Sequence, residues 1–138
     1  MNFRHWLSLA GLIVLAFAPV LRAADDVDIA GDLVFVIHVP GGLGAADVHD
    51  AVRAAAVGRE YTIKEDKPDH IIFTLTHRKH EANFTAVFDT KAVRLYSDSY
   101  ELDNAGARKE PSLPPDNWVK YLRQDFTTNL DQAAVLKK

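Results

Sequence analysis

The stretch that decides the fold is His70-Ile-Ile-Phe-Thr-Leu-Thr-His77-Arg-Lys-His80-Glu-Ala-Asn-Phe-Thr-Ala-Val-Phe88. Apolar and polar residues alternate on both sides of Arg78-Lys79, which predicts two half-buried strands joined by a tight turn. Antiparallel partners across such a turn have position numbers with a constant sum, and they lie on the same face of the sheet. If His77 pairs with His80, three further pairs are apolar on both sides: Leu75 and Ala82, Phe73 and Phe84, and Ile71 and Ala86.

The next turn supports the same face independently. If Asp89 lies opposite Ala92, then Ala86 faces Leu95 and Phe88 faces Val93. Another alternating run, from Tyr61 to Glu65, precedes these strands. The sequence therefore predicts a meander of four strands with one apolar face, built from Tyr61, Ile63, Ile71, Phe73, Leu75, Phe84, Ala86, Phe88, Val93 and Leu95.

Two amphipathic helices and one more strand flank this meander. Residues 33–39 form a nearly continuous apolar run, which predicts a strand buried on both faces, beside either end of the meander. Apolar residues at helical spacing predict one helix ending at Gly58 and another after Pro114-Pro115, with 101–113 as a loop. We therefore expect an α+β fold, a two-layer sandwich in the order β-α-β-β-β-β-α. Its antiparallel sheet has four to five strands, and both helices cover one face.

The amino terminus fits a cleavable secretory signal peptide over residues 1–23. Arg4 and His5 precede an apolar run of about 16 residues, which is shorter than the roughly 20 of a membrane-spanning helix. We expect cleavage after Ala23 and a periplasmic or secreted location. The alternative is an uncleaved segment that tethers the domain to a membrane. The mature chain then divides into an extension over 24–32, a single domain over 33–130 and a tail over 131–138, with no integral membrane span.

Composition excludes several classes of function. Residues 1–23 contain Arg4 and Arg22 but no acidic residue, so their removal changes the formal net charge from −3 to −5. Such a chain repels phosphate backbones, and no basic run with interleaved aromatic residues offsets that repulsion, so we expect no nucleic-acid binding. The absence of cysteine excludes disulfides, a thiolate zinc site, a thiol nucleophile and a lipid-bearing cysteine.

Several short elements resemble a family of small Gram-negative periplasmic proteins and lipoproteins of unknown function. They lie between Ala46 and Phe126 and include Tyr61-Thr-Ile-Lys-Glu-Asp-Lys-Pro68-Asp-His-Ile71, Thr74-Leu-Thr-His77-Arg-Lys-His80, Tyr96-Ser-Asp-Ser99 and Asn117-Trp118. The chain differs from that family in lacking a lipobox cysteine and in having Pro68-Asp69 where members have Pro-Gly. The resemblance implies an envelope protein and supplies no catalytic residues.

Histidines suggest the first candidate site. The register makes His77 and His80 cross-strand neighbours, close enough to chelate one metal ion. A third ligand is not evident, and Arg78 and Lys79 add positive charge that opposes a cation. The alternative is that both histidines only border the hairpin turn. Trp118 and Tyr121 suggest a small-ligand pocket under the second helix, although large aromatic residues at helical spacing are more often core.

Catalytic patterns are not indicated. The Gly41-Gly42-Leu43-Gly44 loop lacks the spacing of a phosphate-binding motif, and Asp47 would repel an anion there. Ser97, Ser99 and Ser112 lack a nucleophile elbow and an assignable histidine. Glu65, Asp66 and Asp69 lie in a turn, where carboxylates are usually solvated. We expect no cofactor, and an enzyme is the third of three functional interpretations.

The uncovered side of the sheet is the preferred candidate. The predicted register places apolar, aromatic and basic residues together there: Ile72, Thr85, Val87, Arg94, Tyr96 and Tyr100. Tyrosine and arginine are enriched in interface cores, so this surface suits an envelope protein or peptide. The sequence therefore predicts an extracytoplasmic, non-enzymatic interaction or binding module. The alternatives are a solvated sheet face, and a weak metal or small-ligand binder acting through His77 and His80.

Overall fold

The computed structural model describes residues 27–138, so the predicted signal peptide and its cleavage site lie outside the described residues. That part of the chain confirms the predicted α+β class, with an antiparallel sheet and two helices. Its elements are β1 (Asp32–His38), α1 (Ala45–Gly58), β2 (Thr62–Asp66), β3 (His70–His77), β4 (His80–Phe88), β5 (Ala92–Ser97), β6 (Tyr100–Leu102), β7 (Arg108–Pro111) and α2 (Asp116–Leu136).

The predicted register at both turns of the meander is confirmed. His77 pairs with His80 across the β3–β4 turn, and Ala86 lies between Ile71 and Leu95 in the paired strands β3, β4 and β5. The strand order is β1-β5-β4-β3-β2. The position of the first strand, which the sequence left open, is therefore the β5 side of the meander.

The stretch over 101–113 is where the sequence prediction was wrong. It contains β7 and most of β6, so the sheet has seven strands instead of four or five. β5 and β6 pair with β4 one after the other, and Asp98-Ser99 interrupts them. Ser97 of β5 pairs with Phe84, and Tyr100 of β6 pairs with Glu81. β7 then pairs with β6. Every residue of β7 is exposed, so this strand has no apolar alternation that sequence reasoning could detect.

Both helices bury their apolar stripes against the predicted apolar face of the sheet. The shared core includes Val48 and Val52 of α1, and Leu122, Phe126 and Leu130 of α2. Polar contacts also join the helices directly: Asn129 Nδ2 donates to the carbonyl of Ala51 at 3.0 Å, and Arg59, at the end of α1, pairs with Asp125 at 2.6 Å. The core is therefore bounded by the sheet on one side and by the two helices on the other.

α2 is longer than the predicted domain boundary suggested. It continues to Leu136, six residues beyond residue 130, and Ala133 and Ala134 pack against the core. Most of the predicted tail over 131–138 is thus the last part of a helix. In the described part of the chain, no helix combines the length and the hydropathy that a bilayer span requires.

Candidate functional site

The sheet brings the six predicted binding residues onto one surface, which we call the open sheet face. Ile72 lies opposite Thr85, which lies opposite Tyr96, and Val87 lies opposite Arg94. Tyr100 pairs with Glu81 further along β4. No buried core residue from α1 or α2 belongs to this face, since both helices pack against the opposite side.

β1 adds two apolar residues to the open sheet face that sequence reasoning missed. Leu33 lies opposite Tyr96 and Val36 lies opposite Arg94, and their side chains are 53% and 42% exposed. The apolar run of 33–39 predicts burial on both faces, but within residues 27–138 β1 is an edge strand, and no described element covers its outward side chains. Phe35 alone is fully buried, against the α2 residue Phe126.

The centre of the open sheet face is filled by its own side chains. Thr85 is 6% exposed and His70 is 9% exposed, although neither lies under a helix. The ring of His70 lies between two carboxylates, with Nδ1 2.7 Å from Asp69 and Nε2 3.6 Å from Glu65. The accessible apolar part of this face is therefore the β1 side, around Leu33 and Tyr96.

At the β7 end the same face is polar, and its polar groups form hydrogen bonds within the domain. The Arg108 guanidinium lies 4.3 Å above the ring of Tyr100 and forms a hydrogen-bonded ion pair with Glu81. That pair, together with the amide of Asn83, lowers the pKa of the Glu81 carboxyl. Asn83 also donates to the carbonyl of Asp98 at 2.9 Å. These groups already have partners, so this end offers few free donors or acceptors.

A cleft of about 500 Å³ separates the start of β1 from the end of β7, at the break between β5 and β6. We call it the serine cleft, because Ser97, Ser99 and Ser112 line it together with Asp32, Asp98, Asp116, Leu33 and Leu113. The Oγ atoms of Ser97 and Ser99 are 2.6 Å apart. No histidine is among the described residues that line this cleft, so no imidazole is placed to activate a serine.

A second cleft, of about 610 Å³, lies beside the β3–β4 turn. This histidine cleft is lined by His77, Arg78, Lys79, His80, Pro115, Asn117 and Trp118. The imidazole rings of His77 and His80 each lie 6.4 Å from the Trp118 ring, centroid to centroid. Tyr121 is not part of the cleft; Arg59 covers its ring instead, at 4.6 Å.

The histidine cleft brings together only two of the ligands that a metal ion would need. Within residues 27–138, no group of three or more His, Asp or Glu side chains is arranged to hold a metal. Arg78 and Lys79 add positive charge to the same cleft. Metal binding through His77 and His80 stays a prediction, with two imidazole ligands and an unfavourable local charge.

An ion-pair cluster joins α1 to the outer strand β2. Nε2 of His49 lies 2.5 Å from Asp66, and Nε of Arg53 lies 3.0 Å from the other oxygen of the same carboxylate. The hydrogen bond to Asp66 raises the pKa of His49, and the hydrogen bond from His49 lowers the pKa of Asp66. The sequence predicts Asp66 in a solvated turn, and it gives no sign of this contact between residues far apart in the chain.

The glycine loop before α1 has no free anion site. The Gly44 amide donates to the Asp47 carboxylate at 2.8 Å, and Nζ of Lys137 lies 2.7 Å from that carboxylate. Lys137 and the Gly44 amide together lower the pKa of Asp47. The amino-terminal end of α1 therefore already has an anionic partner from its own first turn.

Comparison with known proteins identifies no family for this chain. It matches no protein-family model. No curated protein matches it significantly. The resemblance to the periplasmic family therefore stays a prediction.

Proposed function

We propose that this chain is an extracytoplasmic, non-enzymatic binding module that holds an envelope protein or peptide on its open sheet face. The observation that carries this proposal is the position of Leu33 and Val36, two exposed apolar residues directly beside Tyr96 and Arg94. Scattered apolar residues are normal on a protein surface, but neighbours in register with a tyrosine and an arginine have the composition of an interface core.

The edge of β1 suggests how such a partner would bind. β1 pairs with β5 on one side, and no described strand pairs with its other side. An extended segment can add to a free edge through main-chain hydrogen bonds, while alternate side chains contact the face of the sheet. Leu33, Val36 and Tyr96 would contact apolar side chains of the segment, and Arg94 would bind a carboxylate.

Photo-cross-linking in the native envelope tests this proposal. A photoreactive residue replaces Leu33 or Tyr96, and a control replaces Gln124, an exposed residue on α2. We expect a discrete adduct from the two sheet positions and none from Gln124. Thr85 is unsuitable because its side chain is buried. Adducts of equal yield from Gln124, or none from either sheet position, would contradict the proposal.

A second variant distinguishes the β1 side from the rest of the face. Leu33→Asp places a charge beside Tyr96, and we expect it to abolish the adduct formed from Tyr96. Val57→Asp is the matched control, because Val57 is also an exposed aliphatic residue but lies on α1, on the other side of the sheet. If both variants reduce the adduct equally, the β1 side is not the binding surface.

The second candidate function is weak metal or small-ligand binding at the histidine cleft. The observation in its favour is that both histidines line one cleft with Trp118. A rise in the melting temperature with Zn²⁺ that is lost in His77→Ala/His80→Ala would support a metal site. An enzyme remains third, since the serine cleft has no histidine among its described lining residues.

A further inference from the structure

We infer that the histidine cleft binds the phosphate or carboxylate group of a small ring-shaped ligand. Arg78 and Lys79 are the partners of the anionic group, and Trp118 is the surface on which the ring packs. This site is separate from the open sheet face. It is the cleft of the second candidate function, and the inference names the chemical class of its ligand.

Charge is the first observation that supports an anionic ligand. The described residues that line the histidine cleft include Arg78, Lys79, His77 and His80, and none of them is acidic. The whole chain has a formal net charge of −3, so a cleft without a carboxylate departs from its surroundings. The serine cleft, by contrast, is lined by three aspartates. Guanidinium and ammonium groups bind phosphate and carboxylate through charge-assisted hydrogen bonds.

The β3–β4 turn supplies a second observation. Arg78 has a φ of 55°, in the left-handed region where glycine is the favoured residue of a hairpin turn. An arginine occupies this position in spite of that preference. Residues held in a disfavoured backbone conformation often lie at binding sites. Arg78, with its long cationic side chain, is such a residue.

The walls of the cleft supply the remaining observations. Trp118 is partly exposed and lies within 6.4 Å of both imidazole rings. A volume of about 610 Å³ falls within the range of small-molecule sites. An aromatic wall beside cationic donors suits a ring that carries an acidic group.

Fluorescence of Trp118 provides the test. Trp118 is the only tryptophan after residue 23, and Trp6→Phe removes the other one wherever residues 1–23 are retained, so Trp118 is the reporter. The probes are inorganic phosphate, glucose 6-phosphate and glucuronate. Glucose and sodium chloride, at matched ionic strength, are the negative controls. We expect a saturable fluorescence change with at least one of the two acidic sugars and tighter binding than for inorganic phosphate; the sugar that binds better distinguishes phosphate from carboxylate.

Matched charge variants separate a specific site from general electrostatics. Arg78→Ala/Lys79→Ala should weaken binding at least tenfold. Lys64→Ala/Lys67→Ala removes the same charge from exposed positions outside the cleft, and it should change binding less than twofold. Far-ultraviolet circular dichroism confirms that both double variants are folded.

Three outcomes would overturn the inference. The first is the absence of a saturable signal with all three anionic probes. The second is an equal loss of affinity in the two double variants. The third is a signal with Zn²⁺ alone that requires His77 and His80 and strengthens in Arg78→Ala/Lys79→Ala, because that result identifies a cation site.

Discussion

Nε2 of His49 lies 2.5 Å from Oδ1 of Asp66, so a side chain from the middle of α1 holds the end of the outer strand β2. Arg53 binds the other oxygen of Asp66 at 3.0 Å, one helical turn further along α1. Among the strands that the structure describes, β2 pairs only with β3. The carboxylate is therefore the main polar link between this edge strand and the helix that covers it.

This contact predicts a pH dependence of stability. The pKa of His49 is raised in the folded protein, so its stabilising effect is complete below the unfolded value near 6.5 and is lost as pH rises through the folded pKa. The pKa of Asp66 is lowered, so its effect is present above about 3.8 and is lost as pH falls through the folded pKa. We expect His49→Gln to lower the melting temperature by a few degrees near pH 5.5 and by less at pH 8.

Asp50→Asn provides the control for that experiment. Oδ1 of Asp50 also lies 3.2 Å from Nδ1 of His49. The hydrogen bond with Asp50 raises the pKa of His49 less than the hydrogen bond with Asp66 does. Thermal unfolding of Asp50→Asn should therefore follow the wild-type pH profile more closely. A constant difference between His49→Gln and wild type from pH 5.5 to pH 8 would show that ionisation of His49 does not stabilise the fold.

Gly31 predicts a second effect on stability. Its φ is +88°, and a Cβ atom at this position would lie 2.0 Å from the carbonyl oxygen of Ser97. Gly31→Ala should therefore reduce the free energy of unfolding by more than about 1 kcal/mol, because the start of β1 must move away from β5. Gly41→Ala is the control, since no heavy atom lies within 4 Å of its added Cβ. Equal urea midpoints for the two variants would contradict this prediction.

Two leucines of opposite exposure provide a third prediction. Leu122 of α2 is fully buried, whereas Leu113 in the preceding loop is 83% exposed. Leu122→Ala leaves a cavity between helix and sheet and should cost about 2–5 kcal/mol of unfolding free energy. Leu113→Ala should change it by less than about 0.5 kcal/mol. Urea denaturation measures both changes in unfolding free energy, provided that the slope of free energy against urea concentration is the same for the two variants. Similar losses of free energy in the two variants would mean that α2 does not cover the core as described.

Tyr61 predicts a loss of stability at alkaline pH. Burial raises the pKa of its hydroxyl to about 12, with the rings of Phe73 and Phe84 at 5.2 and 5.8 Å. The unfolded chain loses this proton near pH 10, so the folded state loses stability as pH rises from 10 towards 12. Tyr61→Phe should lose less stability than wild type over that range. Parallel urea midpoints of the two proteins from pH 9 to pH 12 would contradict the assignment.

The residues that share the open sheet face were largely predictable from the sequence, whereas their exposure was not. Ile72, Thr85 and Tyr96 share one face because each lies at a position that the two turns place in register. Their exposure was not predictable in the same way, since Thr85 is buried by neighbours whose rotamers depend on the complete sheet. Leu33 and Val36 were missed because an apolar run has no alternation to indicate which of its residues face outward.

The histidine cleft illustrates a different limit. The pairing of His77 with His80 followed from the hairpin register, which is a local property of the sequence. The approach of Trp118 to both imidazoles was not predictable, because Trp118 comes 38 positions after His80 in the chain. Sequence patterns indicate whether a segment is a helix or a strand, but they do not indicate which distant element packs against it.

The sequence by itself determined the α+β class, the antiparallel meander and its register. A period of two fixes the face that Ile71 and Phe73 share, and the two-residue turn between His77 and His80 fixes which partners they meet. Only the tertiary structure decided that β1 joins β5, that β7 exists, and that His49 reaches Asp66. These contacts depend on the packing of residues far apart in the chain. Their free energy comes from the assembled domain, and no local pattern of residues encodes it.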